Sequence, residues 1–182
     1  MICHQLARKP DNWRMQDTLP NFLKHINVPA ISGIDTRQLV KKIRMHGTLR
    51  GAICDSIDHL DEVVEKLKNS NVTANIISQV STKNSYPIPG SKRNIVVVDF
   101  GIKHSILKEL TKRGCNCIVK PYNVSAAEIM NLNPDGVLLS NGPGDPEEMT
   151  DAAKMVREIE KHYPLMGICM GHQVFALANG AK

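Results

Sequence analysis

The sequence predicts an α/β protein, a doubly wound and mostly parallel sheet preceded by a smaller α/β domain. Three observations carry that expectation. From Asn94 onward, apolar strand-like runs alternate with helix-patterned segments, the signature of a parallel sheet built from strand–helix–strand units. Ile95–Phe100 is a run of β-formers without polar alternation, as a strand covered on both faces requires. Glycine-rich segments directly follow two of the strand-like runs, at Ser140 and at Ile168. In open sheets of this kind, ligands bind beyond the carboxyl ends of the strands.

In the first half, helical signals surround one strand-like segment. Leu19, Phe22, Leu23 and Ile26 share helical spacing. Asp35 is placed to cap a helix over Thr36–His46, with Leu39, Val40 and Ile43 on one face and Gly47 just past its end. Thr48–Cys54 reads as a strand. Asp58 is placed to cap a further helix whose Leu60, Val63, Val64 and Leu67 point inward. A Ser/Asn/Thr-rich stretch ending in Pro87, Pro89 and Gly90 marks the domain boundary. The expected domains are therefore residues 1–90 and 91–182.

In the second half, Ile106, Leu107 and Leu110 mark a helix that ends near Gly114, and Cys115–Lys120 is the next strand. Ser125-Ala126-Ala127-Glu128 is a capping box opening a short helix. Asp135–Ser140, Asp151–His162 and Leu165–Ile168 follow as strand, helix and strand. Val174, Phe175, Leu177 and Ala178 then supply the apolar face of a last helix.

Composition narrows the function classes. The hydrophobic fraction of 42% and charged fraction of 23% are those of an ordinary globular chain with a proper core. No apolar run reaches membrane-spanning length, which argues against a membrane partner. Most of the net charge of +5 lies in residues 1–90, scattered rather than striped, and aromatics are only 4%, so nucleic-acid binding is poorly supported. The five cysteines are odd in number and lack disulfide spacing, which points to a reducing, cytoplasmic setting. Cys115 and Cys117 face one side of a strand without a Cys/His pair to complete a metal site, so they read as packing residues and no metal is expected.

The segment Pro164-Leu165-Met166-Gly167-Ile168-Cys169-Met170-Gly171-His172-Gln173 carries the chemistry. It reads as a buried strand, a tight turn and a helix, with Cys169 at the apex and glycines two residues away on either side. This is the cysteine form of a nucleophile elbow, G-x-C-x-G. Such a turn lifts the sulfur out of the sheet to a helix N-terminus, where unpaired N–H groups attract negative charge. It also leaves the backbone N–H of Met170 free to hold a developing oxyanion. A lone intracellular cysteine is more often a small buried hydrophobe, but the strand before this one and the helix after it favour the catalytic reading. The second loop, Asn141-Gly142-Pro143-Gly144-Asp145-Pro146, adds to it, since its prolines and glycines fix the backbone and leave an N–H pointing into the cleft. Alone, that loop would be a stiff connection.

Both segments resemble the class I (triad) glutamine amidotransferases. Gly167–Gln173 is similar to that family's nucleophile motif, with Met170 where leucine is usual, and Ser140–Pro146 is similar to its oxyanion-side loop. Asn12-Trp13-Arg14, Ser32-Gly33-Ile34-Asp35-Thr36-Arg37 and Val98-Asp99-Phe100-Gly101-Ile102-Lys103 narrow the resemblance to the small, glutamine-hydrolysing subunits of carbamoyl-phosphate synthetases. The resemblance implies a flavodoxin-like sheet, with Cys169 attacking the carboxamide of glutamine. It implies that the N–H groups of Met170 and Gly142 hold the oxyanion, and that Gln173 and Gly144 help bind the substrate. It further implies that ammonia passes to a large synthetase subunit. That partner uses ATP, bicarbonate and Mg to make carbamoyl phosphate for arginine and pyrimidine synthesis, and no cofactor is expected in this chain.

The same resemblance implies a His and a Glu downstream of the nucleophile, which this chain does not contain. His172 lies in the first turn after Cys169 and reads as a packing or hydrogen-bonding residue around the elbow. The remaining histidines read as surface or packing residues. The expectation is thus a fragment truncated at both ends, weakly active or inactive alone because triad members act as a unit. Two alternatives stay open: a non-catalytic docking fragment of the same subunit, and a different cysteine hydrolase on a similar sheet.

Overall fold

The computed structural model describes residues 1–7, 9–47, 49–70 and 76–181. The chain forms two compact units, Met1–Val72 and Thr73–Lys182.

The first unit is made of capped helices. The Thr18 side chain accepts from the Asn21 N–H to open α1 (Leu19–His25). The Asp35 carboxylate accepts from the Gln38 N–H to open α2 (Thr36–His46), and Gly47, at φ 75°, ends it. Those α2 bounds are the ones the cap and glycine signals predict. α3 (Leu60–Asn69) is capped one residue later than expected: Asp58 accepts from the Ser56 hydroxyl, and His59 opens the helix without a side-chain bond. A local Ser–Asp turn has won the carboxylate from the helix. Leu49–Cys54 holds no strand, a departure from the sequence reading, and Thr48 lies outside the described residues. The apolar faces are also less covered than expected: Val40, Ile43, Leu60 and Val64 are exposed, and among the described residues of this unit only Leu23 is buried. An isolated parallel bridge joins Ile2 to Ile31.

The second unit carries the α/β fold. Its elements are α4 (Ile77–Val80), β1 (Tyr86–Ile88), β2 (Asn94–Asp99), α5 (His104–Lys112), β3 (Asn116–Pro121) and α6 (Ala126–Asn131). β4 (Gly136–Leu139), a 3-10 turn (Pro146–Glu148), α7 (Thr150–Ile159), β5 (Leu165–Gly167) and α8 (Met170–Ala178) complete it. The sheet order is β1-β3-β2-β4-β5, with β1 antiparallel to β3 and all other pairs parallel. The mostly parallel sheet is the expected one. α4 and β1 were not expected, because they lie in the polar, proline-containing stretch read as a linker. Pro87 lacks a ladder donor and sits in a three-residue edge strand, where one is tolerated. With Tyr86–Ile88 in the sheet, the compact units divide at Val72/Thr73, whereas composition places a boundary at residues 90/91.

Alternate residues of the central strands serve two core layers. Val96, Val98, Val137 and Leu139 pack with Ile129, Val156, Ile159 and Val174. Val97, Cys117, Val119 and Leu138 pack with Leu107. Helices thus cover both faces, as apolar strands without alternation require. The register sets Val98 beside Leu139 and Leu139 beside Gly167. The chain therefore leaves β2, β4 and β5 at one common end of the sheet.

Candidate active site

β4 and β5 are parallel neighbours, so the glycine loop and the cysteine turn emerge side by side. Backbone bonds lock them together. Ile168 donates to the Leu139 carbonyl at 3.0 Å, and Gly171 donates to the Ser140 carbonyl at 2.9 Å and to that of Ile168 at 3.1 Å. Gln173 donates to the Cys169 carbonyl at 3.0 Å, which closes the first turn of α8. No side chain fits at Gly171, where a Cβ would lie 2.2 Å from the Leu139 oxygen.

Cys169 is at φ 52°, ψ −111°, a backbone region that non-glycine residues rarely occupy and that clusters at functional sites. The turn holds its side chain exposed, and the thiol is free. Directly after it, the Met170 side chain is buried in the core at 1% exposure. That anchors the residue whose N–H opens α8, and among the described residues no acceptor takes this N–H.

The loop after β4 is held as tightly. Gly142 lies against the end of β2, where a Cβ would be 2.3 Å from the Phe100 oxygen. Among the described residues its N–H also has no acceptor. The Asn141 side chain donates to the Gly101 carbonyl at 2.9 Å and accepts from the Lys103 N–H at 3.1 Å. Buried Asp99 accepts from the N–H groups of Thr82, Gly101 and Ile102, each at 2.8 Å. Fully buried Ser140 accepts from the Phe100 N–H and donates to the Asn141 carbonyl, both at 2.8 Å. Sequence reasoning missed Asp99 and Ser140. Their signal was available: a single polar residue at or near the end of an otherwise apolar strand has to find a buried partner.

Cys169, Met170 and Gly142 thus share one end of the sheet. Gln173 lies exposed in the first turn of α8. Gly144, at φ 95°, lines a cavity of about 460 Å³ with Ile77, Tyr122, Val124, Glu148 and Met149; Cys169 is not part of that lining. His172 is exposed and its ring makes no hydrogen bond among the described residues, so the expected hydrogen bonding around the elbow is not made there. Its place on the solvent side of the first helical turn is the reason. Among the described residues no histidine or carboxylate bonds the Cys169 thiol, and no group of three His, Cys, Asp or Glu residues could hold a metal ion. Burial, aided by the neighbouring Cys115, pushes the Cys117 thiol up to about 11. Among the described residues no helix is long and apolar enough to cross a membrane.

Two family models match this architecture. "Glutamine amidotransferase class-I" covers residues 96–182 and "Carbamoyl-phosphate synthase small chain, CPSase domain" covers residues 1–53. Over its whole length the chain is 52% identical to the carbamoyl phosphate synthase small chain of Streptococcus mutans.

This chain belongs to the carbamoyl phosphate synthase small-chain family.

It is similarly 53% identical over 182 residues to the small chain of Streptococcus pneumoniae, covering 51% of that protein. It is 51% identical over 181 residues to the pyrimidine-specific small chain of Lactiplantibacillus plantarum, covering 49% of it. The chain spans about half the length of the curated relatives it matches, 50% in the case of S. mutans. The match to the class-I glutamine amidotransferase model, residues 96–182, lies within the second unit.

Proposed function

We propose that this chain carries the nucleophile and oxyanion machinery with which a carbamoyl phosphate synthase small chain releases ammonia from glutamine. One observation carries the reading. An exposed thiol on a strained turn shares a sheet end with two backbone N–H groups that have no acceptor among the described residues. In this reading the Cys169 sulfur attacks the carboxamide carbon of glutamine. The carbonyl π pair moves to oxygen, and the N–H groups of Met170 and Gly142 receive that negative charge. Fixed donors of this kind lower the barrier because they need no reorientation as charge develops. Collapse breaks the C–N bond, and the leaving nitrogen takes up the proton that the thiol released on attack and departs as ammonia. Water then splits the thioester, giving glutamate and restoring the thiol. Gln173 and Gly144 are the proposed contacts to the rest of glutamine.

The described residues supply no general base beside Cys169, so turnover by this chain alone is expected to be slow. The proposed partner is a large synthetase subunit that takes the ammonia and consumes ATP, bicarbonate and Mg. The chain itself is proposed to need no cofactor. The product would be carbamoyl phosphate for arginine and pyrimidine synthesis, and the pyrimidine-specific name of the L. plantarum relative supports the latter. A cytoplasmic setting fits the five free thiols.

The test is intact-mass labelling with a glutamine-like diazoketone, on this chain and on Cys169→Ala. A single adduct at Cys169, blocked by excess glutamine and absent from the variant, is expected. Cys54 is also exposed and serves as the internal control for nonspecific reaction, whereas buried Cys117 stays silent. Equal labelling of Cys54 and Cys169, with no protection by glutamine, would sink the assignment and leave the docking reading.

A further inference from the structure

Fully buried Ser140 joins three pieces of the site, two through its hydroxyl and one through its backbone carbonyl. The hydroxyl oxygen accepts the Phe100 N–H at 2.8 Å. A hydroxyl carries a single proton, and here that proton points to the Asn141 carbonyl, 2.8 Å away. The backbone carbonyl of Ser140 meanwhile accepts the Gly171 N–H from the cysteine turn at 2.9 Å.

The Asn141 carbonyl belongs to the same peptide group as the Gly142 N–H. That group is planar and trans, so its C=O and N–H point in opposite directions. Whatever holds the carbonyl also aims the N–H. Gly142 itself has no side chain with which to resist rotation of this peptide, and no acceptor among the described residues holds its N–H.

We infer that Ser140 is a positioning residue: its hydroxyl pins the Asn141–Gly142 peptide so that the Gly142 N–H is preset toward the oxyanion site. The inference deepens the glutamine-hydrolysis reading and rests on it. Ser140 does not touch substrate. It acts through the Gly142 donor, and by way of Gly171 it keeps that donor in register with Cys169.

The variants are Ser140→Ala and Ser140→Cys, which remove the strong hydroxyl donor, and Ser140→Thr, which retains it. The first readout is the rate of Cys169 labelling by the glutamine-like diazoketone, with the glutamine concentration that half-protects and the rate with iodoacetamide. The second is the Gly142 amide in NMR spectra of the same proteins, which reports the peptide without any reaction.

In Ser140→Ala the diazoketone rate is expected to fall by about tenfold or more, a fraction of what loss of a whole oxyanion donor costs. Half-protection by glutamine and the iodoacetamide rate should stay within about twofold of wild type, since neither uses the oxyanion donor. The Gly142 amide should shift or broaden by exchange on the microsecond-to-millisecond scale. Ser140→Thr should restore both readouts. Should Ser140→Ala unfold, Ser140→Cys decides, because it keeps the size of the buried side chain.

An unchanged Gly142 amide in folded Ser140→Ala or Ser140→Cys overturns the inference, as does a Ser140→Thr protein that behaves like Ser140→Ala. An equal fall in the iodoacetamide rate would mean the whole elbow has moved, and overturns it too. If wild type shows no glutamine-protected labelling, the glutamine reading of this chain fails separately. The amide readout then still decides whether Ser140 sets the peptide.

Discussion

α2 and α7 carry similar amphipathic patterns, yet they end in different environments. α7 buries Ala152, Met155, Val156 and Ile159 against the sheet, while α2 buries nothing among the described residues. The two helices show that a helix and its packing are specified separately. Caps and periodicity are local and work wherever they occur in a chain. Burial needs a partner surface, and β2 and β4 provide one in the second unit.

The sharpest contrast is between backbone contacts at the site and side chains in the first unit. Gly171→Ala would set a Cβ 2.2 Å from the Leu139 carbonyl, which cannot yield without parting α8 from β4. We expect a loss of about 3 kcal/mol or more in urea unfolding, because backbone has no alternative rotamer to adopt. Glutamine-protected labelling of Cys169 should disappear with it. A Gly171→Ala protein with wild-type labelling would show that the turn tolerates a side chain, and would remove the geometric basis of the elbow.

Of comparable size, Phe100→Ala removes a fully buried ring beneath the Gly142 loop and should cost about 3–5 kcal/mol. Val40→Ala in α2 changes a side chain that is 54% exposed and should stay within about 0.5 kcal/mol, since alanine also favours the helix. Comparable losses at the two positions would mean that a surface absent from the described contacts covers α2.

That comparison also explains how much could be read beforehand. The centre of the sheet was legible because β2 and β4 are buried on both faces and so appear as uninterrupted apolar runs. The elbow and the Gly142 loop were legible because close approach and strained backbone leave glycine where nothing else fits. α2 was legible to the residue through Asp35 and Gly47. Three things were not. β1 is three residues long and contains a proline, so its strand character comes from pairing with β3 and not from its own propensity. Asp58 looked like a cap, but a competing Ser56 bond two residues away took it. The bonds from Phe100 to Ser140 and from Asn141 to Gly101 join residues forty positions apart, a distance that no local pattern spans.

Caps should behave alike in both units, which sharpens the same contrast at smaller magnitude. Asp35→Ala at α2 and Ser125→Ala at α6 each remove a side-chain acceptor from one helix N–H. Each should cost about 1 kcal/mol in urea unfolding. A cap that matters only in the second unit would mean α2 is not an independently formed helix.

The smallest effect is the acid dependence of the α6 cap. Glu128 sits below the usual glutamate range, first because it accepts the Ser125 backbone N–H and then because it accepts the Ser125 hydroxyl. A folded-state value lower than the unfolded one means the carboxylate stabilises the folded protein above the unfolded value. That contribution is lost as pH falls through the folded one. Glu128→Gln should therefore be less stable than wild type at neutral pH, and the gap should close in acid. Urea titrations across the carboxylate range would show this directly. A gap that stays constant down to pH values where both states are protonated would mean that glutamine fails to fit the cap for steric reasons, and that the charge on Glu128 contributes nothing.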